Sequence, residues 1–279
     1  MSKMSLEKRL ETVYKIFEKK IRSNGIAYRI EKKDGSFIWN KETGNLTGNK
    51  QYALASITKM YTTTVVLKLA DNKQISLDDK IDKYLEESIV DQLNVYKGVD
   101  FSHKITIRHL LTHTSGIADY YTESSKKYKA NEKDLIYDPV ILFDEMLERV
   151  KALKSHFIPG EKGKAYYSDF NYDLLKVIIE KSTGKKLEES YQEYIFKPLN
   201  LKHTYLFKKD MEFNIPEIWI KGKMYKLKNI LASAGASGGI VSNITDNMIF
   251  LKAFMEGKLF DYSNFKEMDD YNKLQFYPL

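Results

Sequence analysis

Apolar positions in the first segment recur at steps of three and four: Leu6, Leu10, Val13, Phe17 and Ile21 stand among lysines and glutamates. That period is helical, and it predicts an amphipathic helix that lays this stripe on the body of the protein. Two β-prone runs follow, Ile26 to Ile30 and Phe37 to Trp39, on either side of Lys33-Asp34-Gly35-Ser36. Asp-Gly between such runs predicts a hairpin. Tyr52-Ala-Leu-Ala-Ser56 then leads into an apolar helix through about Ala70. The segment from Ile75 to Leu85 reads as a loop and short helix, and Ile105 to Thr112 as another short helix ended by Ser115-Gly116. Residues 122–134 are polar and charged, which predicts a surface loop.

Asp138, followed by Pro139, is placed to cap a helix with Val140 to Leu153 as its body. Pro159-Gly160 breaks the chain. Further helices are expected at 171–181, ended by Ser182-Thr-Gly184, and at 187–196, stopped before Pro198. Trp219 to Tyr225 suggests a small hairpin around Gly222, Gly235 to Gly239 a tight turn, and Thr245 the cap of a helix through about Met255. No repeat and no linker divides the 279 residues. One domain is therefore expected, helical in its middle, with strands near the start and after residue 200.

Charge adds little to this picture. The 45 Lys and Arg exceed the 38 Asp and Glu by seven, but the signs alternate along the chain, as in Glu7-Lys8-Arg9. This describes a mixed solvated surface and argues against a nucleic-acid partner. The chain has no cysteine, so disulfides, Cys-ligated metals and a Cys nucleophile are excluded. No apolar run approaches the roughly 20 residues of a membrane span. The first residues lack the apolar core of a signal peptide, which favours a cytoplasmic location.

Three patterns could carry chemistry. Gly235-Ala-Ser237-Gly-Gly239 matches the G-x-S-x-G elbow of α/β-hydrolases, which need a histidine downstream of the serine. All five histidines (His103, His109, His113, His156 and His203) precede Ser237, so a glycine turn is the better reading. His109-Leu-Leu-Thr-His113 has the spacing of a zinc peptidase helix, but Leu110 stands where the glutamate base belongs. Structural histidines are expected there, and no metal or other cofactor.

The third pattern is Ser56-Ile-Thr-Lys59. Serine and lysine at i and i+3 share a helical face, so an ammonium can reach the hydroxyl. A serine needs a base to become a nucleophile, and a lysine buried against this helix could share the proton through a lowered pKa. The same spacing occurs at Ser5/Lys8, Ser124/Lys127, Ser182/Lys185 and Ser263/Lys266, all in polar or terminal segments. Only Ser56 opens a long apolar helix after a β-prone segment.

Tyr52-Ala-Leu-Ala-Ser-Ile-Thr-Lys59, Ile75-Ser-Leu-Asp-Asp-Lys80 and His109-Leu-Leu-Thr-His-Thr-Ser-Gly116 come in that order. They are followed by Phe157-Ile-Pro-Gly160, Tyr167-Ser-Asp-Phe-Asn-Tyr172, Ile195-Phe-Lys-Pro-Leu199 and Ser233-Ala-Gly-Ala-Ser-Gly-Gly239. Together they resemble the serine β-lactamase / penicillin-binding protein superfamily over about residues 26–255. The match is to its class C-like branch of D-alanyl-D-alanine carboxypeptidases, D-aminopeptidases and family VIII carboxylesterases. The resemblance implies an α+β fold of the β-lactamase/transpeptidase type, a helical lobe beside an antiparallel sheet flanked by helices. It implies one two-lobed domain over residues 1–279 and an active site between the lobes.

By the same resemblance Ser56 is the acylated nucleophile, Lys59 its proton-sharing partner and Tyr167 the general base. Asp169 stands where the family has Asn, and Asp169, Gly238 and Gly239 fall on the substrate side. Tyr262-Ser-Asn264, a literal Tyr-x-Asn, lies far past the expected region and reads as a decoy. The family's third motif, Lys/His-x-Gly on a late strand, has no counterpart after Gly239. The sheet is therefore expected to lack its C-terminal strands, as in a truncated chain. The implied function is a serine hydrolase forming an acyl-enzyme on an ester, D-amino-acid peptide or β-lactam carbonyl, with a small molecule or peptide as substrate. The alternative is a truncated or inactive relative that binds peptidoglycan-like or acyl ligands without turnover.

Overall fold

The computed structural model describes residues 5–20, 24–125, 137–220, 223–263, 272, 274 and 275. Its first helix, α1 (Leu6–Lys20), is the expected one, but a different face packs. Tyr14 is buried edge-on against Tyr28 and Trp39, and its hydroxyl donates to Thr43 Oγ1 at 3.0 Å. Leu6, Val13, Ile16 and Phe17 stay exposed. A tyrosine joins a large apolar ring to a polar tip, so one residue anchors a helix that the aliphatic period aims elsewhere. Below it, β1 (Gly25–Glu31) and β2 (Ile38–Gly44) pair antiparallel around the Asp34-Gly35 turn, Ile30 opposite Trp39.

A second antiparallel sheet has the order β3–β10–β7, from β3 (Tyr52–Ala53), β10 (Ile240–Ser242) and β7 (Tyr205–Leu206). Short pairs complete the strands: β4 (Val95–Tyr96) with β5 (Val99–Asp100), β8 (Ile218–Ile220) with β9 (Lys223–Tyr225), and β6 (Ala165–Tyr166) in parallel with β11 (Leu274–Gln275). The 218–225 hairpin is thus present, while its expected turn residue Gly222 lies outside the described residues, as do 126–134 of the expected loop, Ile21, and Asn264 of the Tyr-x-Asn triplet.

The core sits on α2 (Thr58–Asp71), which is buried nearly all round: Tyr61, Val65, Val66 and Leu67 have no exposed surface. Such a helix carries no amphipathic signature. Its threonines are satisfied internally, Thr62 Oγ1 donating to Ala236 O at 2.7 Å. The helical lobe around it holds α3 (Glu87–Val90), α4 (Ile107–Leu111), α5 (Phe143–Lys151) and α6 (Phe170–Thr183). It continues with α7 (Leu187–Tyr191), which runs into a π-helical turn over Gln192–Phe196. Thr106 caps α4, and Gly184 ends α6 with φ +66° in the left-handed conformation that suits glycine at a helix C-terminus.

Three expected local features differ. Asp138 does not cap α5, which starts at Phe143; its carboxylate accepts the backbone N–H groups of Asn229 and Ile230 and so caps α8 (Lys228–Ser233). The cap of α10 (Ile244–Met255) is Asn243, whose Oδ1 accepts Asp246 N–H at 2.8 Å, rather than Thr245. The glycine-rich turn is a helical one, α9 (Gly235–Gly238). Among the described residues no helix is long and apolar enough to cross a membrane.

Candidate active site

The end of β3 is pinned by Leu54 N–H donating to Ile240 O at 2.8 Å. Ala55 then takes φ +47°, a left-handed backbone that a residue with a Cβ adopts only when its surroundings impose it. This turn leaves Ser56 exposed at the head of α2, while Thr58 and Lys59 point inward. Thr58 Oγ1 accepts Ile240 N–H and ties the helix start to the sheet.

Lys59 is 6% exposed and saturated with acceptors. Its ammonium donates to Asp169 Oδ1 at 2.5 Å, to Ser237 O at 2.8 Å and to Ser56 Oγ at 3.3 Å. Burial alone would lower its pKa, the direction expected from the sequence. The Asp169 carboxylate and then Tyr167 outweigh burial and push it well above the ordinary amine value. Lys59 is therefore held as a cation, and the expected lowered pKa is reversed because the Asp169 carboxylate sits beside the ammonium.

Tyr167 follows β6 and precedes α6. Its hydroxyl lies 2.7 Å from Ser56 Oγ, and the Lys59 ammonium is 5.0 Å from its ring centroid. His113 stacks on the ring at 4.6 Å and 26°. The imidazole is 8% exposed, and burial, then the Lys59 charge, lowers its pKa to about 3. Its Nδ1 accepts from Ser168 N–H and Asn171 Nδ2–H, so the neutral ring is held in one tautomer. The segment is fixed further by Ser168 Oγ donating to Ala118 O and Asp169 N–H donating to Asp119 Oδ1 at 2.9 Å. Burial, then the Asp169 charge, raises the Asp119 pKa.

Ser56, Lys59, Tyr167 and Asp169 thus converge. Gly238 lines the adjoining cavity, and its neighbour Gly239 serves the backbone instead, its N–H on Gly235 O and its carbonyl accepting Phe207 N–H. The sequence by itself does not mark His113 and Asp119 as parts of this group. His113 stands in the sequence as half of a helical histidine pair and inside the His109–Gly116 motif, and Asp119 stands in the apolar and aromatic run Ile117-Ala-Asp-Tyr120, a signal of a buried carboxylate. His109 takes the structural role expected of it, its Nδ1 accepting Thr106 N–H. Among the described residues no group of three His, Asp or Glu could hold a metal ion.

The cavity beside Ser56 has a volume of about 220 Å³ and is walled by Met146, Ile218, Ile220, Leu227, Ile230 and Leu231, among others. A larger one of about 710 Å³ shares Ile141, Met146 and Ser233 with it but is not lined by Ser56. Ser56, Asp169 and Gly238 line the smaller.

The sequence profile of the family described as Beta-lactamase matches residues 29–276, and the chain belongs to that family. It is 29% identical to a penicillin-binding protein of Bacillus subtilis (strain 168) over 74% of this chain and 43% of the relative. Among solved structures it resembles a D-stereospecific amidohydrolase from Streptomyces sp., with a TM-score of 0.74, 28% identity, and 89% and 73% of the two chains covered. It also shares its fold with D-amino acid amidase from Ochrobactrum anthropi SV3, at a TM-score of 0.68, 21% identity, and coverage of 92% and 70%. The chain spans 33–59% of the length of the first curated relatives it matches. The α+β, β-lactamase/transpeptidase-like fold expected from the sequence is the one found.

Proposed function

We propose that this protein is a serine hydrolase that forms an acyl-enzyme at Ser56 on an amide or ester carbonyl, D-amino-acid derivatives included. The observation that carries this is the placement of Ser56 Oγ 2.7 Å from Tyr167 O and 3.3 Å from Lys59 Nζ, on the wall of a cavity. Because Lys59 is held as a cation by Asp169, it is not the base. Tyr167 acts in its phenolate form, which the neighbouring ammonium stabilises, and takes the serine proton to become the neutral phenol as Oγ attacks the carbonyl. The same proton then passes from Tyr167 to the leaving group as the tetrahedral intermediate collapses. Water repeats the sequence on the acyl-enzyme. The similarity to an amidohydrolase supports the amide as a substrate type.

Hydrolysis of p-nitrophenyl esters and of D-phenylalanine amide tests this. Wild type turns over at least one of them, and Ser56→Ala lowers kcat by about 10³ or more, the order seen when a nucleophile is removed. Equal rates in the two proteins would overturn the assignment.

A further inference from the structure

Resting on the reading of Ser56 as nucleophile, we infer that the 220 Å³ cavity is the acyl-group pocket and that it selects substrates whose acyl part ends in an uncharged apolar group the size of an aromatic ring. Two features decide which part of the substrate enters. Ser56 lines the cavity, whereas Tyr167 is not among the described residues that line it. The leaving group must depart on the side of the atom that returns its proton, which is the Tyr167 hydroxyl, 2.7 Å from Ser56 Oγ. The group that stays on the enzyme therefore extends the other way, into the cavity.

The walls decide its chemistry. Strand alternation sends Ile218 and Ile220 inward and leaves Trp219 exposed. Leu227, Ile230, Leu231, Tyr120 and Met146 line the cavity as well. Among the described residues the lining holds one carboxylate, Asp169, whose Oδ1 is paired with Lys59, and no Lys, Arg or His. Among these described lining residues an anionic acyl group would meet a carboxylate and no cationic side chain. An apolar one would exchange water for isoleucine and leucine. A cavity of about 150 Å³ lined by such residues holds benzene, so 220 Å³ accommodates a benzyl or branched-chain group, while an acetyl group leaves most of it empty.

The test is a set of p-nitrophenyl esters with one leaving group and different acyl parts: acetate, phenylacetate and hemisuccinate. Each kcat/KM is divided by the spontaneous hydrolysis rate. The inference predicts phenylacetate at least tenfold above acetate and hemisuccinate below both. Ile220→Asp on the half-exposed strand, checked for folding by circular dichroism, lowers the phenylacetate-to-acetate ratio at least tenfold. Ile218→Trp, which fills the same space without a charge, lowers it in the same direction. Wild-type ester turnover that depends on Ser56 but shows a ratio near one, or a preference for hemisuccinate, overturns the pocket assignment and leaves the nucleophile standing. Absence of any Ser56-dependent turnover removes both.

Discussion

At the scale of single residues, the charge state of Lys59 hangs on Asp169. The carboxylate 2.5 Å away offsets the burial that would otherwise favour a neutral amine. Asp169→Asn removes that charge and keeps the shape, so the Lys59 pKa falls. An enzyme that needs the ammonium beside Tyr167 then loses rate at lower pH. The expected result is an alkaline limb in the pH profile of Ser56 acylation that moves down by at least about one unit. A limb that does not move contradicts the role given to Lys59.

His113 makes a second prediction, this time of stability. Folded, it titrates at about 3; unfolded, near 6.5. Between those values the unfolded chain binds more protons. The contribution of the neutral buried ring is thus complete above pH 6.5 and is lost as pH falls toward 3. Between pH 7.5 and 5 this amounts to up to about 2 kcal/mol. His113→Asn lacks this dependence, so the stability gap between wild type and variant, read from urea denaturation, narrows on acidification. Asp119, raised by burial and by Asp169, runs in the opposite direction but is common to both proteins and cancels. A gap independent of pH would show that the ring is not held neutral.

At the scale of elements, helix ends were the least legible part of the sequence. Asp138 before a proline and an apolar run has every local mark of an N-cap, yet it caps α8, 90 residues downstream in sequence, because only the folded chain brings the two together. Thr245 lost to Asn243 two residues earlier, since the chain turns there from β10 and Asn243 is the residue with extended backbone before the first helical turn. Asn243→Ala is expected to cost about 1 kcal/mol in a thermal or urea unfolding experiment; no change would mean that the cap bond at 2.8 Å contributes nothing. The α1 stripe failed for a related reason: a period shows which face is apolar, not whether anything covers it. Hairpins and helices whose punctuation is local were legible. Asp34-Gly35 and the Gly184 stop are where the sequence put them.

At the scale of the whole molecule, the active-site grouping was readable only as far as motif order carries. Ser56 and Lys59 are neighbours on one helix, so their spacing was enough. Tyr167 and Asp169 lie more than a hundred residues away and came from the resemblance to a known family, which the family match and the shared fold now establish. Two things had no trace in the sequence. One is the Ser237 carbonyl that helps hold Lys59, a contact made by a backbone atom of α9. The other is the stacking of His113 on Tyr167, which needs the loop after α4 and the start of α6 to meet. The apolar cavity likewise gathers residues from β8, α8 and the loop before α5, each unremarkable in its own segment.

Covalent trapping tests the central claim most directly. Wild type and Ser56→Ala are incubated separately with a fluorophosphonate and with a penicillin, and intact masses are recorded on protein shown to be folded. The account predicts one adduct per wild-type chain with the fluorophosphonate, mapped to Ser56 by peptide fragmentation, and none on the variant. A penicillin adduct at the same serine would place β-lactams among the acyl donors. A folded wild-type protein that stays unmodified by the fluorophosphonate, or an adduct that persists in Ser56→Ala, would contradict the assignment of Ser56, Lys59 and Tyr167 as the reacting group.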